Sequence, residues 1–506
     1  MTDPVSTPRR SGYMLEFTVF SCGALVMIFE INGSRIVAPY IGTSTYVWTS
    51  LIGVILAALS LGYWWGGTMA DRRPDGKLLA LALFAAGTLV AATILLKDVI
   101  LSIVGAFPAG LELRSVLAST LLFAPASVAL GFVIPYATKL RISSLADSGT
   151  TVGRLFALST IGSIVGTFAA GFVLIPFIGS SRTLYFVAGS LFALAFALGS
   201  INSKKTVAAL SLFVVAIASN ELTLVFMSRT ANLIDTDTSY NRVRIFDTIH
   251  QETGRPIKAI TTDPTTAQSA RFLDSDELAL AYTKYYHLVR HYHPGFERVL
   301  MIGGAGYSFP QDFTREYPGR QIDVVEIDPA MTQLAREHFG LGGDPALHIV
   351  HQDGRIFLNH APSNTYDAVL MDAFGSSFSV PFQLATFETA IQIHRVTNEN
   401  GIVIFNIGSA VTGPGSLFLQ SQLAAYRDLF PYISVFKVRP HVADDRLQNL
   451  ILVASKRVIV NGEIDEDISR MLATRIEGEI PVTVAAATDD LSPVERYLSI
   501  AQGYRP

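Results

Sequence analysis

Between Tyr13 and Met227 this chain is written almost wholly in long apolar runs, and they dictate what its first half can be. A helix needs about 20 mostly apolar residues to cross a hydrocarbon core. Six segments reach that length: 13–31, 45–69, 78–96, 115–138, 153–177 and 182–201. A seventh run, VAALSLFVVAIA at 207–218, is shorter, and Ser219-Asn220-Glu221 interrupts it before LTLVF. It either crosses or lies in the interface. The stretch 98–110 is also short and reads as a re-entrant or interfacial turn. From Arg229 onward the composition is that of a soluble protein. The expected organisation is a helical membrane domain of six or seven spans at 1–228, a small β module at 229–275, and a nucleotide-fold domain at 276–506.

Loop charges orient such a chain, because cytoplasmic loops carry the excess of Lys and Arg. With the N-terminus inside, the inner loops hold Arg9, Arg10, Arg72, Arg73, Lys77, Lys139, Arg141, Arg154, Lys204 and Lys205. The outer ones hold only Arg35, Lys97, Arg114 and Arg182. The N-terminus is therefore expected in the cytoplasm, with Arg9 and Arg10 as inner-face anchors and not part of an export signal. Six crossings leave the globular half in the cytosol; seven leave it outside. Within the spans, Gly162, Gly166 and Gly171 recur at helical spacing, which lets helices approach closely. Glu30, with Arg35 close behind, is a candidate intramembrane acid or one half of a snorkelling ion pair.

The net charge of −4, with 16% charged residues of both signs, points away from a nucleic-acid partner. The single cysteine, Cys22, excludes an internal disulfide framework.

The globular half opens with alternating residues and a turn signal at Thr253-Gly254, which predicts a β-hairpin module. A helix is expected at 276–292, and then strands alternate with helices. The strands are RVLMIGG from Arg298, IDVVEID from Ile322, LHIVHQDG from Leu347, YDAVLMD from Tyr366 and NGIVIFNIG from Asn400. That alternation implies a doubly wound, mostly parallel, Rossmann-like sheet. Such sheets bind ligands at the carboxyl ends of their strands, where the unusual residues cluster. Gly303, Gly304 and Gly306 permit a tight turn. Glu326 and Asp328 follow the next strand, with Glu326 placed to accept a ribose. Asp353-Gly354 ends the third, where the acid can accept from an adenine amino group. Asp372 ends the fourth. The ligand expected from this order is an adenosyl compound, with Asp372 facing its far end.

In this motif order residues 229–506 resemble the spermidine synthase family, the polyamine aminopropyltransferases, and in particular their membrane-fused branch. TSYNRVRIF, LMIGGAGYS, VVEIDP, HQDGRIFL, YDAVLMDAF and TDDLSPVE carry the resemblance. It implies transfer of an aminopropyl group from decarboxylated S-adenosylmethionine, a co-substrate and not a tightly bound cofactor, to a polyamine such as putrescine, giving a spermidine-type product and methylthioadenosine. Asp372 is the expected catalytic base and amine site, with Tyr240, Asn241 and Tyr282 as substrate contacts. No metal is expected, although His287 and His291 share a helical face. The implied partners are the two small molecules and the lipid bilayer, a homo-oligomer being open. A cytosolic donor favours a cytosolic domain, and hence a 207–226 segment that does not fully cross.

This sequence departs from the family pattern at three places. Gly375 stands where a second acid is usual, Asn241 where a glutamine is, and Ala305-Gly306 where the nucleotide turn carries Gly-Asp. Asp489 and Asp490 are candidate substitute charges. The rival readings are an S-adenosylmethionine-dependent methyltransferase on the same fold, and a non-catalytic membrane protein that senses an adenosyl ligand.

Overall fold

The computed structural model describes residues 9–502 apart from 43, 108, 143, 145–147, 200–201, 263–266, 374–379, 459–461 and 463. It divides into two compact units, the first comprising Met1–Ile41 and Thr45–Thr230, the second including Ala231–Pro506.

The first unit is helical throughout. Its helices are α1 (Arg9–Ile41), α2 (Thr45–Arg72), α3 (Gly76–Ala106), α4 (Leu111–Gly131), α5 (Val133–Arg141), α6 (Ser148–Ala169), α7 (Ile175–Ile178), α8 (Ser180–Leu198) and α9 (Ser203–Ala231). α4 runs into α5, and α6 into α7 through a π-turn, so that among the described residues seven helical stretches are long and apolar enough to cross a membrane. Large apolar side chains face outward: Trp64 is 68% exposed, Phe172 70% and Phe177 78%. An apolar exterior on this scale needs a nonaqueous neighbour. Glycine sets the closest contacts, as a Cβ on Gly162 or Gly166 of α6 would strike the backbone of Phe20 or Ala24 in α1. Gly171, with open space around it, has no such role.

Two expectations change here. Residues 98–106 are the continuous end of α3, whose apolar pattern carries through to a C-cap at Phe107. Ser219-Asn220-Glu221 does not interrupt α9, which is unbroken over 29 residues. The triplet's polar groups find a partner in α8: Asn220 donates to the Tyr185 hydroxyl at 2.7 Å, and Tyr185 donates to Glu221 at 3.1 Å.

The second unit begins with an antiparallel meander of β1 (Ile234–Asp237), β2 (Arg242–Ile249), β3 (Pro256–Thr261) and β4 (Ser269–Phe272). Gly254, at φ +70°, closes the β2–β3 turn. Buried Asp235 takes both arms of Arg242, at 2.7 and 2.9 Å, and pins β1 to β2. The helix expected at 276–292 starts only at Ala281, as α10 (Ala281–Lys284), a 3-10 turn and α11 (Leu288–Tyr292). Arg255 of the hairpin draws Asp274 and Glu277 into ion pairs at 2.7 and 2.9 Å, holding the preceding segment in a turn.

The main sheet then forms from β5 (Arg298–Ile302), β6 (Gln321–Glu326), β7 (Leu347–His351), β8 (Tyr366–Met371), β9 (Thr397–Ser409), β10 (Tyr432–Lys437) and β11 (Gln448–Ser455). Their order is β10-β11-β9-β8-β5-β6-β7, with β11 antiparallel to both neighbours. Helices α12 (Ser308–Glu316), α13 (Pro329–His338), α14 (Gly354–His360), α15 (Phe387–Val396), α16 (Leu417–Arg427), α17 (Glu466–Leu472) and α18 (Val494–Ala501) complete the layers. One core packs Val369, Val403 and Leu452 against residues of α14, α15, α16 and α18. The other packs Leu370, Ile404 and Ile451 against the tyrosines of residues 285–292 and Phe309. The chain leaves β5 toward β6 on one side and returns to β8 on the other. At such a reversal the loops part and open a crevice at the strands' carboxyl ends.

Candidate active site

The switch point lies between the carboxyl ends of β5 and β8. Gly303 follows β5 at φ +101°, and a Cβ there would come within 2.4 Å of the Asp372 carbonyl oxygen. Only glycine tolerates both the left-handed backbone and that contact. The Asp372 amide donates to Ile302 O at 3.0 Å, so the last ladder bond seats Asp372 at the switch point. The other glycines answer to protein neighbours: Gly304 to the Tyr307 ring, Gly306 to Ser269 and Gly354 to Ile302.

Glu326 ends β6 and is buried. Its Oε2 accepts from the amides of Gly304 (2.9 Å) and Ala305 (3.1 Å), its Oε1 from that of Asp328 (2.9 Å). A carboxylate offers about four acceptor positions. Two here hold the glycine turn against β6, a third takes the Asp328 amide, and the remainder is available to a ligand hydroxyl. Asp328 is buried and caps α13 through the amide of Ala330 at 3.0 Å. Asp353 caps α14, accepting from Arg355 (2.8 Å) and Ile356 (3.1 Å) through Oδ1 alone.

Asp372 is the centre of the arrangement. Its Oδ2 accepts from the Tyr282 hydroxyl at 3.2 Å and its Oδ1 from Asn406 Nδ2 at 3.0 Å. The buried Tyr286 hydroxyl also faces it, without the alignment of a full hydrogen bond. Enclosure by protein pushes the carboxyl up to about 7, against the opposing pull of the Asn406, Tyr286 and Tyr282 donors. Burial and the adjacent carboxylate push Tyr282 well above the ordinary phenol range, so it stays a neutral donor. A carboxyl that titrates near neutrality suits proton transfer at physiological pH.

The structure thus brings Tyr282 to Asp372, and Glu326 to the Gly303–Ala305 turn. Tyr240 and Asn241 lie in the β1–β2 turn. Tyr240 is 47% exposed, and the amides of both residues donate to the Thr238 hydroxyl. Asp489 is taken by Arg355 at 2.7 Å and Thr386 at 2.8 Å, which makes it an anchor for the C-terminal segment; Asp490 is exposed. His287 is bonded to Tyr317 at 2.7 Å and paired with Asp312 at 2.9 Å. Gly375 lies outside the described residues.

Sequence reasoning missed Asn406, Asn449 and the inward face of Tyr286. Asn406 had a signal, being a lone amide in the apolar strand VIFNIG. The register sets Met371 opposite Phe405, so Asp372 and Asn406 come next on each strand, side by side.

The family description "Spermine/spermidine synthase domain" matches residues 281–432. Polyamine aminopropyltransferase of Vibrio vulnificus (strain CMCP6) is 29% identical over 149 residues, 29% of this chain and 48% of that protein. The match therefore spans about half the length of that relative. Polyamine aminopropyltransferase 2 of Streptomyces coelicolor (strain ATCC BAA-471 / A3(2) / M145) is 26% identical over 436 residues, 80% of this chain and 76% of that one. That match is longer than the second unit and so extends into the helical one. Among solved structures, a probable spermidine synthase from Corynebacterium glutamicum ATCC 13032 superposes with a TM-score of 0.41 at 20% identity, over 50% of this chain and 95% of that chain. This chain carries a spermine/spermidine synthase domain at residues 281–432.

Proposed function

We propose that the second unit transfers an aminopropyl group from decarboxylated S-adenosylmethionine to an amine of a polyamine such as putrescine, giving a spermidine-type product. The observation that carries this is Asp372 at the switch point, held by Tyr282 on one oxygen and Asn406 on the other. In this reading Glu326 accepts a ribose hydroxyl, Asp353 the adenine amino group, and the sulfonium lies toward Asp372. The acceptor arrives as an ammonium. Asp372 takes its proton, the freed lone pair attacks the methylene carbon on sulfur, and a C–N bond forms. The C–S bond breaks, its electron pair stays on sulfur, and methylthioadenosine leaves as a neutral thioether. A neutral leaving group needs no acid. The chemical demand falls on deprotonating the amine, which one positioned carboxylate supplies. Methyl transfer to an amine would make the same demand, so the identity of the donor separates the two reactions.

We further propose that the helical unit crosses the bilayer with its N-terminus in the cytosol, and that the catalytic unit works there, where the donor is made. The crossings are then even in number. α9, whose Val214, Leu222 and Phe226 are exposed, then lies along the bilayer interface without fully crossing.

Calorimetry with methylthioadenosine on the full-length protein tests the donor site. Binding is expected in the wild type and should weaken at least about tenfold in E326Q and D353N, each losing a charged acceptor. A wild type that does not bind refutes the reading.

A further inference from the structure

The hydrogen bonds of Asp372 continue one residue further than the proposed reaction uses. Asn406 is buried, 3% exposed, and its amide has two unlike ends. Nδ2 donates to Asp372 Oδ1 at 3.0 Å, and Oδ1 accepts from Asn449 Nδ2 at 3.0 Å. Asn449 lies in β11 directly opposite Gly408 of β9, and Ile451 lies opposite Asn406. The contact is therefore a diagonal one. Period-two alternation places Asn406, Gly408, Asn449 and Ile451 on one sheet face, the face of Tyr282 and Tyr286.

We infer that Asn449 is a positioning residue: by donating to Asn406 Oδ1 it fixes which end of the Asn406 amide faces Asp372. A carboxylate accepts only, so it is matched by Nδ2. A protonated carboxyl must donate, and would be matched by Oδ1 if the amide turned over. Asn449 opposes that turn, since turning Asn406 alone would set the two Nδ2 groups against each other and both amides would have to turn together. The pair therefore favours ionised Asp372, the form able to take a proton. The titratable groups facing Asp372 among the described residues are the phenols of Tyr282 on α10 and Tyr286 on the adjoining 3-10 turn. Burial raises both, so they stay neutral through the range in question. Asn406 and Asn449 face it, directly and at one remove, from β9 and β11.

The inference rests on the aminopropyl-transfer reading for its place in turnover, but not for the titration itself. The protonation of Asp372 can be followed in the full-length protein by infrared spectroscopy of isotope-labelled aspartate, with D372N assigning the band. In N449L the midpoint should rise by about half a pH unit, a threefold gain in proton affinity, on the scale of one hydrogen bond lost to the ionised form. The acid limb of kcat/KM should move with it, so that activity falls about threefold below the midpoint and is unchanged well above it. N449Q, which keeps the donor, should lie nearer the wild type, and N449A replaces N449L should the latter not fold. Midpoints and acid limbs that superpose on the wild type in N449L or N449A overturn the inference. A shifted midpoint in a protein without transferase activity would instead refute the proposed reaction and leave the inference standing.

Discussion

The Tyr282 hydroxyl donates to Asp372 Oδ2 at 3.2 Å, with the Gln268 carbonyl oxygen a more distant alternative at 3.4 Å. One side chain from α10 thus orients a carboxylate that ends β8. Removing the hydroxyl while keeping the ring isolates that contact. Tyr282→Phe should lower kcat/KM about 10–100-fold, the scale of a hydrogen bond to a charged group. Methylthioadenosine affinity should change less than about twofold, as the phenol touches no adenosyl contact. Steady-state kinetics beside calorimetry check this. Equal losses in both would assign Tyr282 to donor binding.

Asp372 links function to stability. Its folded-state value of about 7 lies above the ordinary 3.8, so between those pH values the native protein holds a proton that the unfolded chain has lost. Stability is then greatest below about pH 4 and falls as pH rises through 7. The three-unit displacement corresponds to no more than about 4 kcal/mol, and to less because Asp372 keeps some solvent contact. An amide in its place removes this dependence. D372N should melt a few degrees above the wild type at pH 8, with the gap closing near pH 4, while turnover falls at least about 10²-fold. Melting curves across pH provide the check, and a D372N protein less stable at every pH would refute the burial argument.

Gly303 carries a structural prediction at the same place. With φ at +101°, and the Asp372 carbonyl oxygen only 2.4 Å from where a Cβ would lie, Gly303→Ala must shift the end of β8. A destabilisation of about 1–3 kcal/mol follows, with a loss of activity exceeding that of unfolding alone. Denaturant titration beside activity tests it, and wild-type values for both would remove Gly303 from the site's frame.

The parts of this fold written in local chemistry were legible in the sequence. Apolar runs marked the helical unit, and Glu326, Asp353 and Asp372 announced themselves as acids ending apolar strands. Asn406 and Asn449 were not legible, because their meaning depends on the pairing of β9 with β8 and β11, which no local pattern states. Tyr286 was not legible either, because it is fully buried and fills the core as well as facing Asp372. The unbroken α9 was obscured by its polar triplet, since only the fold supplies Tyr185 as a partner.

Membrane orientation follows from parity. Gln251 lies exposed in the β2–β3 turn, and the native Cys22 is buried. In a Gln251→Cys variant, a membrane-impermeant thiol reagent should label inside-out vesicles and leave intact cells unlabelled. Labelling of intact cells alone would mean an odd number of crossings and a catalytic unit outside.

The most direct test is mass spectrometry of the products formed by full-length protein given putrescine with either decarboxylated or intact S-adenosylmethionine. The account predicts methylthioadenosine and an amine heavier by one aminopropyl group, from the decarboxylated donor only and dependent on Asp372. A methylated amine from the intact donor, with no aminopropylated product from the other, would contradict it.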